Sequence, residues 1–323
     1  AYEIRLSLVG LGDVYKRQTY SIVMKKRWTL MDQVRRKTNA TSAYQRHLTG
    51  KGVTVAFLDT GISMHPDLQG RILAFRDFQN GKKYPYDDSG HGTHVAGICC
   101  GSGQLSRGQY AGMAPGAGIV SAKVLDHHGN GMREQVLSSV SWILKNKNRY
   151  HIKILNVSVG AVNSLEEKNA VLAECMEHAW DAGLVVVVAA GNMGPHAGSV
   201  TVPGTNKKVI TVGAFDDCIF PGGCYSGRGP TQECICKPEI TAPGSNIRSC
   251  SSTWYLDGRK YCIKSGTSMA APVVSGAIAL LLEKEPHLTN VEVKMRLKNC
   301  ARNLNLPKYQ QGWGMIDVNL LLT

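Results

Sequence analysis

Long hydrophobic runs are missing from this chain of 323 residues. No window holds the roughly 20 consecutive apolar residues that a transmembrane helix needs, so no membrane span is expected. The start of the chain also lacks the basic head, apolar stretch and small-residue cleavage site of a secretory signal. Low-complexity tracts and internal repeats are absent too, and the remaining composition is that of a globular protein.

Acidic residues are in deficit, and the formal net charge is +13. More than half of this excess lies in residues 1–50, which hold ten Lys/Arg and three Asp/Glu. The rest of the chain has an ordinary solvated surface, and basic residues are not interleaved with aromatic ones. No nucleic-acid partner is therefore expected.

Paired Cys-x-x-Cys knuckles are also absent, although the chain has ten cysteines. This spacing does not favour a zinc site, and no metal ligands are assigned. A chain of this length can fold without disulfides, so reduced thiols in a cytoplasm are expected, with disulfides as the alternative.

The first residues do not fit the rest of the chain. Asp13 to Gln18 resembles the translated end of a sequencing adapter, and Met24 is a plausible true start. We interpret residues 1–23 as an artefact or a disordered leader. Residues 24–50 are interpreted as a helical lead-in, and residues 51–323 as one catalytic domain.

Apolar runs alternate with helical patterns after residue 50. Predicted strands are Val53–Leu58, Ile119–Val124, Ile154–Val159, Leu184–Ala189 and Val209–Val212. Predicted helices are His94–Cys100, Met132–Asn146, Leu165–Ala182, Ser268–Leu282 and Asn290–Asn299. Continuous apolar strands between helices are typical of a parallel sheet that is buried on both faces. The fold class is therefore α/β, a doubly wound and mostly parallel sheet with helices on both faces.

Chemistry-bearing residues follow these elements in Gly-rich surroundings. Asp59 ends the first strand, His91 lies in Gly-His-Gly-Thr-His, and Ser268 begins a helix after Gly266-Thr267. Asn192 follows the strand that ends in Ala189. An Asp, a His and a Ser in this order suggest an oriented imidazole that activates a hydroxyl nucleophile.

Four motifs resemble the signatures of the subtilisin family. They are Asp59-Thr60-Gly61, His91-Gly92-Thr93-His94-Val95-Ala96-Gly97, Ala189-Ala190-Gly191-Asn192 and Gly266-Thr267-Ser268-Met269-Ala270-Ala271-Pro272. The pattern is closest to that of bacterial intracellular-type subtilases. The resemblance implies a serine endopeptidase acting on proteins or peptides through an acyl-enzyme. Its triad would be Asp59, His91 and Ser268, with Asn192 as the oxyanion-hole residue.

Each residue also has a structural interpretation when taken alone. Ser268 could be a helix N-cap, Asn192 a turn residue, and Asp59 or His91 an ordinary loop residue. The joint pattern favours catalysis. His94 lies three residues after His91 without the glutamate of a zinc-peptidase motif, so a hydrogen-bonded core role is expected for it. His127 and His128 are expected in a surface loop.

The resemblance also implies where a substrate binds. An extended peptide would pair with Gly129-Asn130-Gly131 on one side and with Ser158-Val159-Gly160 on the other. Ala189, Ala190 and Gly191 would wall the pocket for the residue before the cut. Because these residues are small, broad specificity with an apolar residue at that place is expected.

Departures from the family pattern concern calcium and location. Residues 101–113 lack the Asp/Asn-rich loop of a tight calcium site, so no such site is expected and the chemistry requires no cofactor. A weaker structural calcium site near Val202, Pro203 and Gly204 is left open by analogy.

A monomer in the cytoplasm is expected, with secretion as the alternative if the N-terminus is incomplete. The alternative function is that of a catalytically inactive, peptide-binding relative.

Overall fold

A computed structural model describes residues 6–7, 31–161, 166–218 and 223–323. The predictions for the leader therefore lie mostly outside the described residues, as does Leu165, the first residue of one predicted helix. The core of the described part is a seven-stranded sheet in the order β10-β9-β8-β6-β2-β4-β3. Every neighbouring pair in it is parallel.

The strands in chain order are β1 (Leu6–Ser7), β2 (Thr54–Asp59), β3 (Ile72–Asp77), β4 (Gly118–Lys123), β5 (Asn130–Gly131), β6 (Ile152–Val157), β7 (Gly160–Ala161), β8 (Val185–Ala189), β9 (Ile210–Ala214), β10 (Ile240–Ala242), β11 (Ile247–Cys250) and β12 (Tyr261–Lys264). The helices are α1 (Met31–Lys37), α2 (Thr41–Gln45), α3 (His91–Cys100), α4 (Arg133–Asn146), α5 (Glu166–Asp181), α6 (Trp254–Asp257), α7 (Thr267–Lys284), α8 (Asn290–Cys300), α9 (Lys308–Gln311) and α10 (Val318–Leu321).

The predicted doubly wound α/β class is confirmed. All residues of β2, β8 and β9 are buried, as their continuous apolar sequence requires for strands covered on both faces. Helices α3 and α7 pack together on one face of the sheet, and α4 and α5 pack together on the other. The central helix α7 has a membrane-compatible length and apolar composition, but 89% of it is buried inside the domain.

Some elements differ from the predictions. Strand β3 was not predicted because its side chains are mostly half-exposed at the sheet edge. The loop-rich region from Cys218 to Lys264 contains three short strands, and β10 among them extends the main sheet. Helix α3 begins at His91 rather than at His94, because its first turn is rich in glycine and polar residues and lacks an apolar pattern.

The winding of the sheet reverses at its centre. From β2 the chain builds β3 and β4 on one side, then crosses to place β6 on the other side of β2. The carboxyl ends of β2 and β6 therefore flank the switch point, where ligands bind in open α/β sheets. Asp59 is the last residue of β2, and Ser158 follows β6 directly.

One cysteine pair contradicts the expectation of reduced thiols. Cys218 and Cys224 form a disulfide, whereas the other eight cysteines are free thiols. The two residues are only six apart in sequence, and their Cα atoms lie 4.3 Å apart. Spacing within a loop-rich region could not distinguish this pair from its neighbours Cys234 and Cys236.

Lys237 is fully buried beside β9 and β10. Its ammonium contacts both carboxylate oxygens of Glu239, at 2.7 and 2.9 Å, and the carbonyl oxygens of Asn206 and Val209. Burial lowers the pKa of Lys237 to about 8, although the Glu239 carboxylate opposes this effect. The lysine is thus held as an internal cation in a cage of oxygen atoms.

The cage predicts a pH-dependent stability. Because the folded-state pKa lies below the ordinary value of 10.5, the unfolded chain binds more protons between pH 8 and 10.5. Across this window Lys237 should raise the free energy of unfolding by up to about 3 kcal/mol. In Lys237→Met the free energy of unfolding should not rise across this pH window, whereas the exposed control Lys153→Met should show the wild-type rise. Denaturant unfolding at several pH values measures the difference, and parallel curves for the wild type and Lys237→Met would contradict it.

Candidate active site

Asp59 and His91 form a buried pair at the switch point. The Nδ1 atom of His91 lies 2.7 Å from Oδ1 of Asp59, and the two residues are only 6% and 1% exposed. The Asp59 carboxylate can only accept a hydrogen bond, so Nδ1 of His91 carries the proton and donates a hydrogen bond to Asp59. This tautomer leaves Nε2 of the neutral ring as the proton acceptor.

The loop before His91 is organised by Asp87, which the sequence analysis did not select. Its Oδ1 accepts from Thr60 Oγ1 and Gly90 N at 2.8 Å each, and its Oδ2 accepts from Thr93 N and Oγ1 at 2.8 and 2.6 Å. One carboxylate thus ties the Asp59 turn to both sides of His91. Asp87 begins Asp87-Asp88-Ser89-Gly90 and accepts from the N–H of Ser89 two residues on, which is the Asx-turn pattern that could have indicated it.

Asn192 lies against the start of α7. Its Oδ1 accepts from Thr267 N and Thr267 Oγ1 at 2.9 and 3.1 Å. Gly266 adopts a φ of +149°, and a Cβ there would lie 3.0 Å from Asn192 Nδ2. Glycine at this place therefore lets the amide of Asn192 approach the backbone directly before Ser268.

Ser268 is the second residue of α7 and is 2% exposed. Its hydroxyl donates a long hydrogen bond of 3.5 Å to the carbonyl oxygen of Ser158. Such long bonds are common for reactive groups in unliganded sites. Helices α3 and α7, whose first turns carry His91 and Ser268, pack against each other.

A buried polar chain fixes the segment that faces Ser268. Ser275 on α7 donates to Oδ1 of Asn156 at 2.9 Å, and Asn156 donates through Nδ2 to the hydroxyl of Ser158 at 3.1 Å. Buried polar groups linked in this way set one register between α7 and β6. The sequence analysis missed Asn156 and Ser275 because both lie inside apolar runs.

The two predicted substrate edges lie on either side of an extended segment. β1 pairs antiparallel with β5 on one side and with β7 on the other. β5 contains Asn130 and Gly131 and follows Gly129, and β7 begins at Gly160 directly after Ser158 and Val159. The backbone of these edges can therefore accept a strand between them.

The remaining predicted residues also lie near the switch point. Ala189 is 6% exposed, Ala190 is fully buried, and Gly191 donates through its N–H to Thr267 Oγ1 at 3.0 Å.

His94 is buried behind the site, and its Nε2 lies 3.1 Å from the carbonyl of Ile247. Burial lowers the pKa of His94 well below its ordinary value, so the ring is neutral. His127 and His128 are exposed in a loop, as predicted.

Metal-ligand chemistry is not favoured at the described clusters. His65, Asp67 and Cys250 lie close together, but both ring nitrogens of His65 already bond, to Lys260 O and Asp67 N. The second cluster includes the Cys218–Cys224 disulfide. Near Val202-Pro203-Gly204, the carbonyl oxygen of Gly204 accepts from Thr211 Oγ1 at 2.6 Å, and the weak calcium site stays a prediction.

A doubly wound sheet with an Asp–His pair and a helix-starting Ser beside its switch point is the type of site that serine hydrolases use. Residues 50–314 match the model of the subtilase family, so the chain belongs to that family of serine-type endopeptidases.

Individual relatives support this assignment. Over 272 residues the chain is 46% identical to the serine protease AprX of Bacillus subtilis (strain 168), covering 78% of this chain and 62% of AprX. It is 36% identical to subtilisin Savinase of Lederbergia lenta, covering 83% of this chain and 90% of that protein. The crystal structure of a cold-adapted subtilisin-like serine proteinase matches with a TM-score of 0.68 and 30% identity, over 84% and 90% of the two chains.

Close packing at Gly92 generates a prediction. A Cβ on Gly92 would overlap the Gly61 carbonyl oxygen and lie 3.2 Å from Asp59 Cβ. Gly92→Ala should therefore displace the Asp59 turn, lower stability by about 1–3 kcal/mol and reduce peptidase activity at least about tenfold. Thermal unfolding and hydrolysis of a peptide substrate measure the two effects. The control is Ser138→Ala, at an exposed position of helix α4. Full activity in Gly92→Ala would contradict the prediction.

Proposed function

We propose that this subtilase cleaves peptide bonds through an acyl-enzyme on Ser268, with His91 as general base and Asp59 as its orienting carboxylate. The observation that carries the proposal is the buried 2.7 Å contact between His91 Nδ1 and Asp59, at the head of a helix packed beside that of Ser268. A serine hydroxyl is a weak nucleophile near neutral pH and needs such a base.

The first half of the reaction forms the acyl-enzyme. Ser268 Oγ attacks the carbonyl carbon of the substrate while its proton passes to Nε2 of His91. Asp59 stabilises the resulting imidazolium through the Nδ1 hydrogen bond. The tetrahedral intermediate then collapses, the C–N bond breaks, and the leaving amine takes the proton from His91. In the second half a water molecule repeats these steps and releases the carboxylic acid.

Negative charge on the tetrahedral oxygen needs donors that are already in place. The side-chain amide of Asn192 and the backbone N–H of Ser268 are the proposed donors, because Asn192 is tied to Thr267 at the start of α7. The positive end of the α7 dipole acts on the same charge. Such preorganised donors stabilise the transition state more than the neutral carbonyl.

Substrate is proposed to bind as an added strand between β5 and β7. Support comes from β1, which pairs with both edges in an extended conformation. Backbone pairing gives affinity without strong sequence preference. Ala189, Ala190 and Gly191 carry no charge, which supports an apolar residue before the cut.

The inactive, peptide-binding alternative makes a different prediction for covalent chemistry. A binder could hold the same extended peptide but would not react with a fluorophosphonate. The paired Asp59 and His91 favour the enzyme.

For the compartment, the Cys218–Cys224 disulfide supports an oxidising location over the cytoplasmic one, because cytosolic disulfides are rare.

Ser268→Ala should abolish both peptide hydrolysis and fluorophosphonate labelling, since no other group would supply the nucleophilic oxygen. The matched control is Ser139→Ala, which removes another buried helical serine whose hydroxyl bonds only within α4. Assays with denatured casein and gel detection of the label measure both activities. Residual labelling of Ser268→Ala at the wild-type rate would refute the assignment.

Asn192→Leu should lower kcat by about 10²–10³-fold with a small change in KM, because the lost donor acts on the transition state. This magnitude is the one known for the corresponding amide in subtilisin. Asn146→Leu on α4 serves as the control, since its amide donates only to Trp142 O. An equal rise in KM with unchanged kcat would instead indicate a role in ground-state binding.

A further inference from the structure

Lys123 is a fully buried lysine beside the proposed catalytic pair. It is the last residue of β4, and it stands directly opposite Asp59 in the register of the two strands. A buried ammonium is costly unless each of its N–H groups finds a partner. Its place next to the reacting groups therefore needs an explanation that general stability does not give.

The three N–H groups of Lys123 are matched by three oxygen atoms. Nζ lies 2.6 Å from the carbonyl oxygen of Thr60, 2.8 Å from that of Leu125 and 2.7 Å from Oδ1 of Asp88. Asp88 is 40% exposed, whereas the Lys123 side chain is 0% exposed. The ammonium thus has a complete set of acceptors in fixed directions.

Each acceptor belongs to a different part of the proposed site. Thr60 follows Asp59, Asp88 lies three residues before His91, and Leu125 leads into the loop that ends in the substrate edge β5. We infer that Lys123 is a positioning residue for the proposed peptide hydrolysis: its ammonium holds the Asp59 turn, the His91 loop and the substrate edge in one geometry. The inference rests on the function proposed above.

The test compares two buried lysines. Lys123→Met keeps the aliphatic stem and removes the ammonium, and Lys237→Met does the same in the remote oxygen cage next to β10. Lys123→Met should lower kcat at least about tenfold with a smaller change in KM, because misplacement by about 1 Å can cost 100-fold. Lys237→Met should keep the wild-type kcat and KM.

A second variant keeps the inference falsifiable if Lys123→Met folds poorly. Asp88→Ala alters a partly exposed residue, so folding should survive, and it removes one of the three acceptors of Lys123 Nζ. It should lower kcat of the folded enzyme with a smaller change in KM, whereas Asp88→Asn keeps an accepting oxygen and should retain more of kcat. A merely structural role for the lysine would lower the amount of folded enzyme without changing its kcat.

The outcomes separate this inference from the proposed function. If the wild type hydrolyses peptides but Lys123→Met and Asp88→Ala keep its kcat, Lys123 has no positioning role and the serine mechanism stands. If Asp88→Asn loses as much of kcat as Asp88→Ala, the hydrogen bond to Lys123 does not carry the effect. If the wild type neither hydrolyses peptides nor reacts with a fluorophosphonate, the proposed function itself fails.

Discussion

The buried hydrogen bond between Asp59 and His91 is the contact on which the arrangement of the site depends. It requires a carboxylate held out of water at the end of a central strand, and such a group is tolerable only if its surroundings are fixed and polar. The sheet reverses its winding at this strand, which opens a crevice without breaking the core. Thr60 is then held twice, by Asp87 through its hydroxyl and by Lys123 through its carbonyl. Rigidity of the turn is therefore a condition for using a buried aspartate.

Much of the sheet could be predicted from the sequence because burial on both faces leaves a continuous apolar pattern. The strand predicted at Val53–Leu58 occurs at Thr54–Asp59, and that predicted at Leu184–Ala189 occurs at Val185–Ala189. The edge strand Ile72–Asp77 was missed because its half-exposed side chains dilute that pattern. Helix α3 starts about one turn before the predicted residue for a related reason: its first turn is stabilised by tertiary contacts and not by an apolar face.

The residues expected to do chemistry were predictable as a set, because each lies in a short Gly-rich motif beside a strand or helix end. The residues that hold them in place were not predictable. Asp87 bonds to Thr60, Lys123 to Thr60 and Asp88, and Asn156 to Ser275, all distant in sequence, and single-sequence patterns carry no information about such pairs. The disulfide between Cys218 and Cys224 is local, but the spacing of the cysteines does not distinguish this pair from the others. Long-range partners of polar residues are thus the part that only three-dimensional structure supplies.

The proposed substrate edges β5 and β7 would offer a bound peptide mostly main-chain hydrogen bonds, and this has a consequence for the choice of substrate. Only a segment that can leave its own helix or sheet can lie between two strands at once. A folded protein must first open locally, and its susceptibility then follows the free energy of that opening more than its side chains. With the proposed binding mode the cleft would discriminate by conformation, so that unfolded or partly unfolded chains would be cleaved before native ones of the same sequence.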